Sequence, residues 1–393
     1  MNEVILIKYG ELTTKKDNRR LFINILKNNI IKSLEDYNIT IKDEMCRMFI
    51  ETTDNVDEVI DILSDVFGIH EIYKTMSFKD RDINSINLNV LEFLNDKDIH
   101  SFKVVTKRSD KSYKIESNDV NKIVGEHILN NIKNSFVDLF NPEVIINIEI
   151  RQNDVYLYGK GTKGKGGYPV GSLGKGMLML SGGIDSVVAG YLSLKRGVKL
   201  SYVYFESIPH TSIEARNKVI QLANILRKYS YDTSLYVVPF TNIQESIYKN
   251  GKEDYCITIM RRMMYRIGEL LAKRYKCNAI FNGESIGQVA SQTLSSIRAV
   301  NDVTSFPIIR PLASFDKLEI IDIANKIGTY KTSILPYEDC CTVFVPKHPV
   351  INPSILICKE IEKSIEYESL INEAMDNILK IDIDGKKEIN EYL

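Results

Sequence analysis

Residues Met177–Gly190 read MLMLSGGIDSVVAG, an apolar strand that runs into Ser181-Gly182-Gly183-Ile184-Asp185-Ser186 and then into a helix. Two consecutive glycines let the backbone turn sharply and bring N–H groups up to an anion. Ser181 and Ser186 add hydroxyl donors, and the helix that follows points its positive end at the same place. The stretch is a phosphate cradle. It is not a Walker loop, because Lys175 is followed by Gly176 instead of Ser or Thr and no glycine stands at the required spacing upstream. From here the pattern alternates: strand 177–180, a helix to Arg196 stopped by Gly197, strand 199–205, helix 213–228, strand 234–238, helix 257–275, strand 277–281. Such alternation predicts an α/β domain with a doubly wound parallel sheet. Thr211-x-x-Glu214 and Asp316-x-x-Glu319 each predict a helix start, and Gly328 closes the second of those helices.

The SGGxDS order resembles the PP-loop of the ATP pyrophosphatases, which grip a departing pyrophosphate and leave the α-phosphorus open to attack. In a parallel sheet, ligands lie beyond the carboxyl ends of the strands. Four groups of candidates fall there. Tyr204 and Phe205 end one strand and are placed to flank an adenine, or else to fill the core. Arg261 follows on a helix, Asn282-Gly283-Glu284-Ser285 follows strand 277–281, and Gln292 offers an amide to a base or ribose edge.

Ahead of the cradle, the periodicities predict two smaller α+β units. The first, residues 1–54, has a strand at 3–8, a helical stripe over 17–34 and paired strands over 39–51. The second, residues 55–162, has helices near 55–66, 82–95 and 118–133 and strands at 69–78, 102–107, 144–150 and 154–158. Residues 163–176 form a glycine-rich linker, and 177–393 the cradle domain. Lys103, Lys107, Arg108, Lys111 and Lys114 concentrate in FKVVTKRSDKSY, and Lys160, Lys163 and Lys165 sit among glycines in GKGTKGKGGYP. Cations and backbone N–H groups on a mobile loop suit RNA phosphates, and the alternative for either tract is a solvated face.

Composition bounds the remaining possibilities. The 393 residues are 44% hydrophobic and 26% charged with a net charge of −1, as expected of a soluble globular chain and not of a uniformly basic nucleic-acid binder. No apolar run is long enough to span a bilayer, and MNEVILIKYGEL is charged too early for a signal peptide, so the cytoplasm is the expected location. Cysteines at 46, 256, 277, 340, 341 and 358 fit neither a disulfide framework nor a CxxC zinc site, which points to thiol chemistry in a reducing compartment.

Taken together, the chain resembles the tRNA 4-thiouridine synthetases, a family also implicated in making the thiazole of thiamine. The likeness runs in order through IKYGEL with Lys15, Asn18 and Arg19, then Phe67-Gly68-Ile69, KRSDKSY, SGGIDS, TIMRRMM, NGESIGQVASQTL, RPLASFDKLEI and LPYEDCC. The resemblance implies an N-terminal ferredoxin-like domain, a THUMP domain that binds tRNA, and an adenylating PP-loop domain. It implies ATP contacts at Met179, Leu180, Tyr204, Phe205, Arg261, Gly283 and Gln292, beside the cradle residues Ser181, Gly182, Gly183, Asp185 and Ser186. The chemistry it implies is thiolation of uridine 8 in tRNA: Asp185 organises the loop and its Mg²⁺, Lys317 stabilises charge on the phosphorus or leaving group, and Cys340 takes part in sulfur transfer. Relatives also suggest a homodimer.

The pattern departs from many relatives in one respect. They carry a C-terminal rhodanese domain, whereas about fifty residues follow Cys341 here, so sulfur is expected from a separate cysteine desulfurase or, as sulfide, through a metal centre. Cys341 or Cys256 would resolve a disulfide at Cys340. The same three cysteines are the candidates for an iron–sulfur cluster, although adjacent ligands are awkward. Two other functions stay open, a PP-loop ligase that adenylates a small molecule and a non-catalytic THUMP-type RNA-binding protein.

Overall fold

The computed structural model describes residues 2–10, 12, 18–44, 47–95, 99–344 and 346–384; Lys15 and Cys46 lie outside them. The chain divides into two compact units, residues 1–167 and 168–393.

The first unit begins with β1 (Asn2–Tyr9), α1 (Arg19–Ser33), β2 (Ile39–Asp43), β3 (Arg47–Thr52), α2 (Val56–Ser64) and β4 (Ile69–Phe78). Helix α2 forms because Val56, Val59, Ile60 and Leu63 make one apolar stripe and Asn55 caps it, its side chain accepting the amides of Asp57 and Glu58. Strand β1 pairs antiparallel with β3 on one side and β4 on the other. The order β2-β3-β1-β4 is the ferredoxin-like arrangement. A division at residue 54 would cut this module, since β4 hydrogen-bonds along the whole of β1. Next come α3 (Ile83–Leu94), β5 (Ser101–Arg108), α4 (Ser117–Asn131), β6 (Phe136–Val137), β7 (Val144–Ile150), β8 (Val155–Tyr158) and β9 (Thr162–Lys163). Among the described residues these strands extend the same sheet in the order β4-β8-β7-β5-β6, with β9 on β4. Ile86, Val90, Val120, Val124 and Ile128 of the two helices pack on Phe102, Ile146 and Ile148 of its strands.

The glycine tract is not a free linker. Gly164 and Gly166 donate to the carbonyls of His70 and Ile69, and Lys165 to that of Ser64. A Cβ on Gly164 would stand 2.5 Å from the Ile69 oxygen, so only glycine can lie this close to that strand. Residues 168–174 in turn bond within the second unit, where the amides of Tyr168 and Gly171 donate to Lys195 and Gly197.

The second unit contains β10 (Lys175–Met179), α5 (Ile184–Lys195), β11 (Lys199–Glu206), α6 (Ile213–Ser230), β12 (Thr233–Pro239), α7 (Thr241–Asn250), α8 (Cys256–Arg274) and β13 (Ala279–Phe281). It continues with α9 (Leu294–Asn301), β14 (Ile308–Ile309), α10 (Lys317–Lys326), α11 (Tyr330–Ser333), α12 (Cys340–Val343), α13 (Ile355–Ile365), α14 (Tyr367–Asp376) and β15 (Leu379–Ile383). The sheet order is β14-β13-β10-β11-β12-β15, parallel except for β15, which pairs antiparallel with β12. The expected doubly wound sheet is present, with an antiparallel edge strand that lies beyond the alternating region. Central β10 is apolar on both faces, as a strand covered on both sides must be. Of the two expected helix starts, Asp316 and Glu319 form a reciprocal capping box. The other helix, α6, also starts where expected, but without a capping box: the Thr211 hydroxyl accepts the Ser207 amide instead, and Ser212 occupies the cap position.

Helix α8 presents Ile259, Met260, Met263, Met264, Ile267 and Leu271 to the core, each worth ~2 kcal/mol of apolar burial. Its Arg262 is fully buried and pairs with Glu362 of α13 (Nε to Oε1 2.7 Å), which Arg266 also grips through both oxygens (2.7 and 2.9 Å). Removing one partner of a buried pair leaves charge unpaired in low dielectric. Glu362→Ala is therefore expected to cost about 3–5 kcal/mol, seen as a lowered urea midpoint with an unchanged slope.

Candidate active site

A cavity of about 520 Å³ opens where the carboxyl ends of β10, β11 and β13 meet the N-terminus of α5. Of the residues expected from the sequence, Met179, Leu180, Ser181, Asp185, Ser186, Tyr204, Phe205, Arg261, Gly283, Gln292 and Cys340 all line it. Gly182 and Gly183 complete the loop between them, and Lys317 reaches the site through Asp185.

The loop is held by its own hydroxyls. The Ser181 amide donates to Ser186 Oγ (3.0 Å) and the Gly183 amide to Ser181 Oγ (3.2 Å). Gly183 caps α5 without a side-chain acceptor, so the first-turn N–H groups of that helix remain for an anion. The turn after β13 packs directly on this helix start. A Cβ on Gly283 would lie 2.5 Å from the backbone carbon of Asp185 and the nitrogen of Ser186, so backbone meets backbone there. Lys317, fixed at the first position of α10 by the Asp316–Glu319 capping box, places Nζ 2.6 Å from Asp185 Oδ1. Gln288 donates to the other oxygen at 3.0 Å.

The cavity floor is a hydrogen-bonded hub around Glu284, which pairs with Arg261 and with Arg310 (2.6 Å) and accepts from Tyr265 (3.2 Å) and Asn282 (2.8 Å). Arg261 also donates to the Ser291 carbonyl, which pins the turn carrying Gln292. Among the described residues, Gln292 Oε1 and the Tyr204 hydroxyl are buried without a hydrogen-bond partner, and both belong to the cavity wall. Tyr204 and Phe205 expose little surface, and Phe205 stacks edge-on against Phe240 at 5.3 Å, so the pair serves the core as well as the cavity.

Cys340 is buried, Cys341 is exposed, and their sulfurs lie 4.0 Å apart. Gln244 on α7 donates to the Cys340 carbonyl (2.6 Å) and accepts from Ser207 (2.6 Å). Lys218, a buried lysine of α6, donates to the carbonyls of Leu335 (2.9 Å) and Tyr337 (3.4 Å) and so holds the LPYEDCC loop against the unit. The two thiols titrate apart. Donation from Cys340 lowers the Cys341 pKa, with help from the Arg261 charge; the shared hydrogen bond and burial push Cys340 up. Cys256 is not the neighbouring thiol. It starts α8, donates to the Lys252 carbonyl and borders a separate small cavity with Met260 and Phe344. Among the described residues, no three His, Cys, Asp or Glu side chains converge as metal ligands.

In the first unit, Lys107, Lys111, Lys160 and Lys163 are exposed, and Lys103 donates to the Leu139 carbonyl (3.0 Å). Lys165 pairs with Asp65 at 3.5 Å. Arg108 is turned inward: it donates to the Tyr113 and Ile115 carbonyls (3.0 and 3.2 Å) and pairs with Glu116 (2.9 Å), bracing the loop that carries Lys111. Its basic charge thus serves the fold of the loop, which local sequence does not reveal.

The sequence carries no local signal for Lys218 or Gln244. A lysine on an amphipathic helix reads as solvated, and α7 lies outside the predicted elements. Asp339, Asn282 and Glu284 fall inside recognisable motifs whose pattern assigns them no role.

Comparison with known proteins agrees with this architecture. Family models match residues 4–73 (ThiI ferredoxin-like domain), 80–159 (THUMP domain) and 171–367 (Thiamine biosynthesis protein, ThiI). The first two boundaries fall on either side of the end of β4. A probable tRNA sulfurtransferase of Halothermothrix orenii is 42% identical over 400 residues, covering 100% of this chain and 99% of its own length. Its counterpart in Bacillus licheniformis is 43% identical over 397 residues, covering 100% and 98%. A crystal structure of a 4-thiouridine synthetase–RNA complex with bound ATP superposes with a TM-score of 0.89 at 34% identity, covering 98% of this chain and 100% of that one.

The thiol pair yields a direct check. Alkylation of Cys341, followed by peptide mass spectrometry across pH, is expected to outpace Cys340 at neutral pH. In Cys340→Ala, which removes the S–H donor, the Cys341 midpoint should move upward.

Proposed function

This chain belongs to the ThiI family of tRNA sulfurtransferases, and on that premise we propose that its cavity binds ATP and adenylates uridine 8 of tRNA, which sulfur from a persulfide then converts to 4-thiouridine. The observation that carries this proposal is the cavity itself, which is lined both by the phosphate cradle and by two thiols. Neither a small-molecule ligase nor a binding protein has use for both.

The α5 N-terminus and loop amides take the β- and γ-phosphates. The apolar walls at Met179, Phe205 and Met264, with the Gln292 amide, suit a purine. The uracil O4 attacks the α-phosphorus and pyrophosphate leaves; Lys317 stabilises charge at this step. Asp185, in the first turn of α5, is the residue that would hold Mg²⁺, whose charge would neutralise the leaving pyrophosphate. Adenylation matters because a carbonyl oxygen departs poorly and AMP departs readily.

Sulfur arrives as a persulfide on Cys340, loaded by a separate cysteine desulfurase. Its terminal sulfur attacks C4, AMP leaves, and the base is joined to Cys340 through a disulfide. The Cys341 thiolate then attacks the Cys340 sulfur and frees the thiolated base, leaving a Cys340–Cys341 disulfide that an external dithiol reduces. Cys341 fits this second step by proximity and by its lowered pKa. A role in thiamine synthesis through a sulfur-carrier protein, a homodimeric assembly and a cytoplasmic location belong to the same proposal. No described helix is long and apolar enough to cross a membrane.

The test is reconstitution with tRNA, ATP, cysteine and a desulfurase, read by mass spectrometry of 4-thiouridine and by release of pyrophosphate. Asp185→Ala is expected to lose both signals while keeping tRNA affinity; Cys340→Ser is expected to lose 4-thiouridine but still release pyrophosphate. Pyrophosphate release that does not depend on tRNA would instead point to a small-molecule ligase.

RNA docking is tested separately. Replacing Lys107 and Lys111 with Ala should weaken tRNA binding and reduce the salt slope by roughly 0.7–0.9 for each RNA phosphate that is no longer neutralised. An unchanged slope would make them solvated surface only.

A further inference from the structure

Asp339 occupies an unusual position for a carboxylate. It is the N-cap residue of α12, where an aspartate ordinarily accepts an amide of its own helix, yet it makes no side-chain cap. Its Oδ1 instead accepts the Gly182 amide at 3.1 Å, across 157 positions of sequence. The Gly182 amide is one of the cradle's donors, so a carboxylate already sits on the phosphate loop. The same carboxylate lines the cavity and is followed at once by Cys340 and Cys341.

The physical conflict follows directly. A phosphate oxygen and a carboxylate oxygen compete for one N–H, and two anions side by side in a partly buried site repel. Burial already raises the Asp339 pKa, against the Gly182 hydrogen bond and the Lys218 charge that favour ionisation. Once displaced, the carboxylate has a second place to go, the start of α12, which has no side-chain cap and where the Thr342 amide donates to the Asp339 carbonyl at 3.0 Å. Lys218 is held by the carbonyls of Leu335 and Tyr337 rather than by Asp339, so the outer part of the loop keeps its anchor in both arrangements.

We propose that Asp339 is a positioning residue that couples occupation of the phosphate loop to placement of the thiols: its carboxylate and a phosphate compete for the Gly182 amide, and when pyrophosphate or the ATP phosphates take that amide Asp339 is expelled, turns to the start of α12 and re-aims Cys340 and Cys341. The proposal rests on the nucleotide-binding function given above and extends it from binding to the order of events. The reactive thiols are brought to bear only when the phosphates are in place.

The experiment uses the full chain with inorganic pyrophosphate and Mg²⁺, or AMP as a ligand lacking the β- and γ-phosphates, and measures affinity by calorimetry and Cys341 alkylation by mass spectrometry. In the unaltered protein, pyrophosphate should change the alkylation rate and AMP should not. In Asp339→Ala, which removes the competitor, pyrophosphate should bind roughly three- to tenfold more tightly, the factor one net hydrogen bond is worth. The alkylation rate should then no longer respond. Asp339→Asn, which keeps the shape and loses the charge, should fall between and guards against a folding defect in the alanine variant. In turnover, KM for ATP should fall together with kcat in Asp339→Ala, a split that simple loss of structure does not give. Unchanged or weaker pyrophosphate binding in both variants, or a Cys341 rate that still responds in Asp339→Ala, overturns the coupling alone. Failure of the unaltered protein to bind pyrophosphate or ATP overturns the nucleotide function as well.

Discussion

The contact on which the second unit depends is the meeting of two main chains at Gly283. With no side chain there, the turn after β13 reaches the first helical turn of α5, where a Cβ would be 2.5 Å from Asp185 and Ser186. That approach sets the distance between the phosphate loop and the Glu284 hub. The hub in turn orients Arg261 and the turn bearing Gln292. An anion site at a helix start, a buried ionic floor and apolar walls thereby share one cavity. Each would be ordinary alone; their juxtaposition makes a place where a nucleotide's charge and its ring can both be satisfied.

The thiols reach this cavity by a different physical route. Their segment comes after α11 and lies against the unit mainly by hydrogen bonds to its carbonyls, from Lys218 and Gln244. Leu335 and Tyr337 remain substantially exposed, so little apolar burial holds the segment in place. A loop fixed by a few polar contacts can change partners at low cost, whereas α8, anchored by a methionine-rich core and the Arg262–Glu362 pair, cannot. The cavity wall formed by α8 is thus the more firmly anchored part, and the segment carrying the thiols the less. In the proposed reaction this division suits two successive steps at one carbonyl, activation of its oxygen and then its replacement by sulfur.

In the first unit, charge and function separate in a similar way. Lys107 and Lys111 are exposed and available to phosphates, while Arg108 between them is engaged by the carbonyls of its own loop. A planar guanidinium with several donors can satisfy two carbonyls and a carboxylate at once, which an ammonium cannot do with the same geometry. The glycine tract behaves alike: its amides close onto residues 64–70 rather than staying free.

Local chemistry settled much of this protein from its sequence. The SGGIDS turn, the alternation of strands and helices, and the Asp316–Glu319 box all rest on interactions within a few residues of one another, and each stands in the structure as read. The likeness of ordered motifs carried the family and the three-module architecture. Tertiary structure alone decided which side chain serves which partner. Cys341 instead of Cys256 stands beside Cys340, Arg108 turns inward, β4 completes the first module, and Asp339 bonds a loop more than a hundred residues away. For Cys341 and Arg108, whose partners are close in sequence, packing decides which way a side chain turns; for β4 and Asp339 the reason is that periodicity and propensity encode bonds to near neighbours. A hydrogen bond or ion pair between distant segments exists only once packing has brought them together.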